Sequence, residues 1–172
     1  KYPGWAEILR WVEKWSIRRH RYIIAVSSGT GNALKRLHPK GLVEIVYNGV
    51  NFMQLAHKPP RNLNRICYVG RIDWVNKGLD RLIAAFALLR SRNPAMQLMI
   101  AGSGKDADFL CAQMTDGICY LGRVSEEEKW RILESSGCFC MPSRFEGWGI
   151  AAIEAACAGC PVVGTDIPGL NE

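Results

Sequence analysis

Long apolar runs are missing from this chain: no stretch of its 172 residues reaches the roughly 18 apolar positions of a bilayer-spanning helix. Histidine is scarce, with three residues, and the seven cysteines offer only a lone CxxC at Cys157/Cys160 without a second ligand pair. No metal site is predicted, and the cysteines read as small buried thiols of a reducing compartment. Completed phosphate-loop signatures are absent as well. SSGTGN follows a strand without finishing a dinucleotide-binding glycine pattern. In AGSGKD, Met99 stands where a P-loop needs glycine and Asp106 replaces its Ser or Thr. The usual nucleic-acid-binding motifs are missing, and aromatics are not interleaved on strands as a base-stacking platform requires, so nucleic acid is not an expected partner.

What is present describes a globular chain with a core. Apolar residues make up 48% and charged residues 22%, with no signature of disorder. The net charge of +6 is concentrated at the start. Residues 1–40 hold nine Lys or Arg against Glu7 and Glu13, whereas residues 41–172 hold thirteen against fourteen acids. The chain opens on Lys1 and stops at Glu172 just after a strand-like segment, which suggests an excerpt of a longer protein.

Residues 3–19 read as an amphipathic helix, with Trp5, Ile8, Val12 and Trp15 at three- and four-residue spacing. Such a helix either covers one face of a sheet, the favoured reading because it runs straight into a strand, or lies on an anionic membrane surface. The strand is Tyr22 to Val26, followed by a glycine-rich turn and a short helical run, ALKRL. His57 to Asn62 has the paired prolines of a linker. From residue 65 short apolar strands, near 65–69, 96–101, 118–121, 138–141 and 161–164, alternate with helices. That alternation is the pattern of a Rossmann-like α/β fold, a parallel sheet with helices on both faces. Ser125 and Glu128 form an S-x-x-E capping box.

The stretch SRFEGWGIAAIEAACAGCPVVG, 143–164, links one predicted strand to the next through a helix and carries two acids, Glu146 and Glu154, separated by seven residues. Gly147 and Gly149 would let a ligand approach backbone at a helix N-terminus, where free N–H groups favour an anion. The plainer reading has Glu146 capping the helix and Glu154 solvated or paired with an arginine. Upstream, Gly70-Arg71 turns out of a strand and Lys77 follows six residues later where a helix begins. All these groups fall at the carboxyl ends of the predicted strands, where an open parallel sheet binds ligands. Arg71 and Lys77 read either as a solvated pair at a helix start or as two fixed cations on that rim, able to hold an anion.

Taken in order, Tyr47-Asn48-Gly49-Val50, Gly70-Arg71 with Lys77-Gly78, Ala101 to Gly104, Leu121 to Val124, Pro142-Ser143, Glu146 to Glu154 and Gly159 to Val163 resemble the family-four retaining glycosyltransferases. Those enzymes have the GT-B fold, two Rossmann-like domains facing a cleft. The resemblance covers about residues 22–172. It implies a tail of the acceptor-side domain at 1–56, a linker at 57–62, and a nucleotide-sugar-binding domain at 63–172 that is incomplete at its C-terminus. It also implies a retaining hexosyltransferase using a UDP- or GDP-sugar and no metal or other cofactor, with a saccharide or lipid-linked acceptor, and a fragment inactive alone. Arg71 and Lys77 resemble the diphosphate contacts, Glu146 the acceptor for donor-sugar hydroxyls, and Glu154 the carboxylate on the ribose diol. Gly147, Trp148, Gly149 and Ile150 resemble the backbone beside sugar and phosphates, Val124 the backbone reading the base, and Gly70, Ser103 and Gly104 lining residues. Trp148 is bulkier than the family's usual phenylalanine. His20, His38 and His57 match no family motif. The expected location is the cytoplasm, with the inner face of the membrane if residues 1–21 touch lipid. The alternative function is a nucleotide-sugar-binding module without catalysis.

Overall fold

In the computed structural model the described residues are 3–53 and 55–172. The chain begins with α1 (Pro3–Arg19), β1 (Tyr22–Ala25), α2 (Ser28–Leu37) and β2 (Leu42–Ile45). β1 and β2 pair in parallel, Tyr22 opposite Leu42 and Ala25 opposite Ile45. Ser27 starts α2 by accepting a hydrogen bond from the Thr30 amide at 3.0 Å. The SSGTGN segment is therefore helix for most of its length, not a turn. Glycine is a poor helix former, but Gly31 is buried, and a Cβ there would sit 3.2 Å from Ile45 Cγ1. Close packing of α2 on the strands requires the missing side chain.

α1 differs from the favoured expectation. Trp5, Ile8, Val12 and Trp15 are all exposed, and the helix packs against α2 instead of covering a sheet. Among its described side chains, only Ser16 and Ile17 are partly buried.

The remaining elements are β3 (Asn62–Val69), α3 (Leu79–Arg92), β4 (Gln97–Ala101), α4 (Ala107–Ala112), β5 (Ile118–Gly122), α5 (Glu126–Ser135), β6 (Ser136–Met141), α6 (Ile150–Cys157) and β7 (Val162–Gly164). Five strands form a parallel sheet in the order β5-β4-β3-β6-β7. Side chains alternate across it. Tyr68, Leu98 and Ile100 pack with Leu79, Leu82 and Phe86 of α3 and Leu110 of α4 on one face. Cys67, Val69, Phe139 and Met141 pack with Trp130, Ile132 and Leu133 of α5 and Ala152 and Ala155 of α6 on the other. The fold is thus the expected α/β arrangement with helices on both faces.

The strand order fixes where a ligand can enter. The chain starts on central β3, steps outward to β4 and β5, then crosses back through α5 to β6 on the other side of β3. Loops leaving the carboxyl ends of β3 and β6 therefore diverge and leave a crevice between them. The capping box predicted for α5 is present: Ser125 Oγ accepts from the Glu128 amide at 3.2 Å and the Ser125 amide donates to Glu128 at 3.1 Å.

Candidate functional site

The loop after β3 is held in place by its own hydrogen bonds. Gly70 N–H donates to Ala101 O at 3.0 Å, Ile72 N–H to Ser103 O at 3.0 Å, and Tyr68 hydroxyl to Arg71 O at 2.8 Å. Burial of that phenol, with the Glu146 and Asp73 charges adding to it, pushes its pKa up, so Tyr68 stays a donor. Gly102, at φ 141°, lies against Gly70 carbonyl, and any side chain there would strike it. Asp73 closes the next turn by accepting from the Asn76 side chain at 2.9 Å, and Gly78 then opens α3. Lys77 is thereby presented at the mouth of the crevice.

The loop after β6 brings the first acid to meet it. Lys77 Nζ and Glu146 Oε1 form an ion pair, and Ser143 Oγ donates to the same Glu146 oxygen at 2.8 Å. Their side chains retain 20% and 9% of their accessible surface, so the pair is half-sheltered rather than free in water. Arg144 straps this loop to the start of α3, with its guanidinium donating to both Asp80 oxygens at 2.7 and 2.6 Å and to Val75 O at 2.6 Å. That fork holds the Asp80 carboxyl below its usual pKa. Gly149 then takes φ 76° to turn into α6, whose first residues, Ile150 and Ala151, line the crevice.

Two cavities share Val69, Gly70 and Arg71. One, of about 490 Å³, is lined by Lys77, Glu146 and the 147–151 backbone as well as by Arg71. The other, of about 370 Å³, runs toward Ser103, Arg123 and Val124. Arg71 stands at their junction. Of the residues singled out from sequence, Gly70, Arg71, Lys77, Glu146, Gly147, Trp148, Gly149 and Ile150 line the first, and Ser103 and Val124 the second. Two do not line either: Gly104, which packs against the Ile72 backbone, and Glu154. Glu154 instead forms an ion pair at 2.7 Å with Lys129, which does line the second cavity. None of the three histidines lines these cavities. A further cavity of about 420 Å³ lies on the other side of Glu146, walled by Ile17, Ala33, Leu34, Leu37 and Phe145. Its largely apolar walls offer little to an anion.

The arrangement can take an elongated anionic guest: cations at the centre, free amides beside them, and an acid at one end that accepts hydroxyl hydrogens. Residues 52–172 match the family model described as "Glycosyl transferases group 1". The chain belongs to that family. As a group 1 glycosyl transferase it is 32% identical over 171 residues to a glycogen synthase of Mycobacterium tuberculosis, covering 94% of this chain and 41% of that protein. It is 33% identical over 129 residues to a phosphatidyl-myo-inositol mannosyltransferase of Mycolicibacterium smegmatis, covering 70% of this chain and 33% of that one. Among solved structures, a TarM mutant of S. aureus, in complex with fondaparinux, alpha-GlcNAc-glycerol and UDP, superposes with a TM-score of 0.76 at 21% identity. That match covers 90% of this chain and 32% of TarM. Anabaena HepE, in complex with UDP and glucose, gives a TM-score of 0.68 at 18% identity, over 87% of this chain and 45% of HepE. The chain thus spans less than half the length of each of these relatives. The likeness in structure establishes the fold, shared with GT-B glycosyltransferases.

Several contributors to the candidate site were not read from sequence. Lys129 looked like one more charge on a helix beginning Glu-Glu-Glu, and nothing in the spacing tied it to Glu154. Tyr47 stacks on Trp148 with ring centroids 4.4 Å apart and planes 18° from parallel, while Trp148 Nε1 donates to Asn48 O at 3.0 Å. This contact, which closes the cavity beside Glu146, joins residues about a hundred positions apart. Only the Tyr47-Asn48-Gly49-Val50 motif hinted that this segment belongs near the site.

Proposed function

We propose that this chain carries the donor site of a retaining glycosyltransferase that moves a hexose from a UDP- or GDP-sugar to a saccharide or lipid-linked acceptor. The observation that carries the reading is the meeting of Arg71, Lys77 and Glu146 around one cavity at the point where the strand order reverses. On this reading the diphosphate lies across Arg71, the sugar beside Glu146, and the ribose and base toward Glu154 and Val124.

As the bond from the anomeric carbon to the phosphate oxygen breaks, negative charge collects on the departing diphosphate. Arg71, Lys77 and the first amides of α6 stabilise that charge, and they do so more effectively in a sheltered crevice than in open water. Lys77 starts bound to Glu146. An arriving donor can replace that bond on both sides at once, giving Lys77 a phosphate oxygen and Glu146 a sugar hydroxyl. Retention of configuration rests on the family-four resemblance. The acceptor is expected to be held mainly by the other half of the enzyme, so the chain alone binds donor without turning it over.

Calorimetry with UDP- and GDP-sugars tests the reading. Binding that Arg71→Met weakens by about tenfold or more supports it, and no heat with any nucleotide sugar rejects it. A non-catalytic binding module would bind equally well but fail to transfer sugar even when joined to a complete first domain.

A second reading concerns α1, whose Trp5, Ile8, Leu9, Trp11, Val12 and Trp15 are all exposed beside Arg10, Lys14, Arg18 and Arg19. No helix among the described residues is long and apolar enough to cross a membrane. An exposed apolar stripe with basic flanks fits peripheral contact with anionic lipid, at the inner face of a cytoplasmic membrane. Liposome flotation that weakens with salt supports this, and identical flotation with neutral and anionic vesicles opposes it.

A further inference from the structure

Glu154 is the one charged residue of α6, in the sequence IAAIEAAC, and its side chain keeps 13% of its accessible surface. A carboxylate sheltered to that degree requires a partner. Lys129, reaching over from α5, supplies it at 2.7 Å from Nζ to Oε1. Lys129 is equally sheltered at 13%, and it is tied at 2.7 Å to Glu126, which is 69% exposed. Burial draws the Lys129 pKa down, but the hydrogen bonds it donates to the two carboxylates outweigh it and the net shift is upward, so the ammonium persists. Lys129 lines the smaller cavity together with Gly70, Ser103 and Val124, and Glu154 does not.

Taking Glu154 as the ribose acceptor, as proposed above, we infer that Lys129 is its positioning residue and sets the preference of the site for a ribonucleotide over a 2′-deoxyribonucleotide. Lys129 occupies Oε1 and, among the described residues, Oε2 has no recorded hydrogen-bond donor. A carboxylate oxygen accepts more than one hydrogen bond. With Oε1 clamped, the carboxylate cannot rotate freely, and Oε2 meets the vicinal hydroxyls in one orientation. Without the clamp, the carboxylate turns among rotamers and the second hydroxyl contributes little to affinity. Glu126 acts one step further out, holding the ammonium from the solvent side.

The test measures affinity of the chain for UDP and GDP and for their 2′-deoxy counterparts by calorimetry. For the native sequence, about tenfold tighter binding of the ribonucleotide is expected, the worth of one good hydrogen bond to a charged group. Lys129→Met and Lys129→Gln should cut the ratio to about threefold or less, while Lys129→Arg, which can still bridge both acids, should keep most of it. Two neutral variants guard against a loss of fold in either one, and far-UV dichroism establishes which are folded. A folded neutral variant that keeps the native ratio overturns the role of Lys129 and leaves the donor site standing. Native protein that binds both nucleotide forms equally overturns the ribose assignment of Glu154 and the inference with it.

Discussion

Lys77–Glu146 and Lys129–Glu154 are both lysine–glutamate pairs at the edge of one crevice, but the acids are held in different ways. Glu146 sits on a loop, and its Oε1 is shared by an ammonium and the Ser143 hydroxyl. Glu154 sits inside α6, and its lysine comes from a helix on the same face of the sheet. The loop acid can exchange its partners for a guest with little backbone movement. The helix acid is fixed in place before the guest arrives. On the proposed reading, the sugar end rearranges as the donor binds and the ribose end is preset.

The largest effect is expected at the residue common to both ends. Arg71→Met should weaken nucleoside diphosphate and nucleotide-sugar binding alike by about tenfold or more, because a lost bond to a charged phosphate oxygen costs roughly 1.5–3 kcal/mol. Calorimetry reads both constants, and an unchanged affinity for either would separate Arg71 from the diphosphate. The next effect distinguishes the two acids. Glu146→Gln should reduce nucleotide-sugar affinity toward that of the bare diphosphate, while Glu154→Gln should weaken both forms equally, each by about three- to tenfold. The reverse pattern would exchange their roles.

A smaller effect is expected where Trp148 closes the sugar end. Trp148→Ala removes a ring stack and an indole hydrogen bond, each worth about 0.5–1.5 kcal/mol. Amide exchange near Asn48 should quicken, and Trp148→Phe should lie between the two, keeping a ring but losing the bond to Asn48 O. Unaltered exchange in Trp148→Ala would mean that the stack does not hold this segment.

The smallest effect is electrostatic. Because Arg144 lowers the Asp80 pKa in the folded state, the pair stabilises the fold above the unfolded carboxyl value of about 4, and that contribution is lost as pH falls through the lower folded value. Asp80→Asn should melt slightly earlier than native protein at neutral pH, with the gap closing in acid. A gap that is the same at neutral pH and near about pH 2 would rule out charge as its source.

The regular half of the molecule was legible because buried parallel strands and their covering helices impose strong patterns. Its misread boundaries have local causes. β3 starts at Asn62, earlier than expected, because Asn62-Leu63-Asn64-Arg65 carries little apolar signal although its backbone is paired, Asn62 with Ser136. β6 starts at Ser136 directly after α5, so polar Ser136-Gly137 looks like a connection. α1 was placed correctly along the chain, but periodicity names an apolar face without naming what covers it. At the site, residues adjoining strand ends could be grouped from motif order. Lys129 could not, and the motif that includes Tyr47 did not name Trp148 as its partner, since these contacts depend on how α5 and the 47–48 segment pack in three dimensions.

The most direct measurement is amide chemical-shift mapping of the labelled chain titrated with UDP and with GDP. The account predicts saturable shifts at Gly70, Arg71, Ser103, Val124 and Ile150 with at least one of the two nucleotides. It is contradicted if neither nucleotide moves them, or if the shifts gather instead around Ala33, Leu34 and Leu37 beside α1.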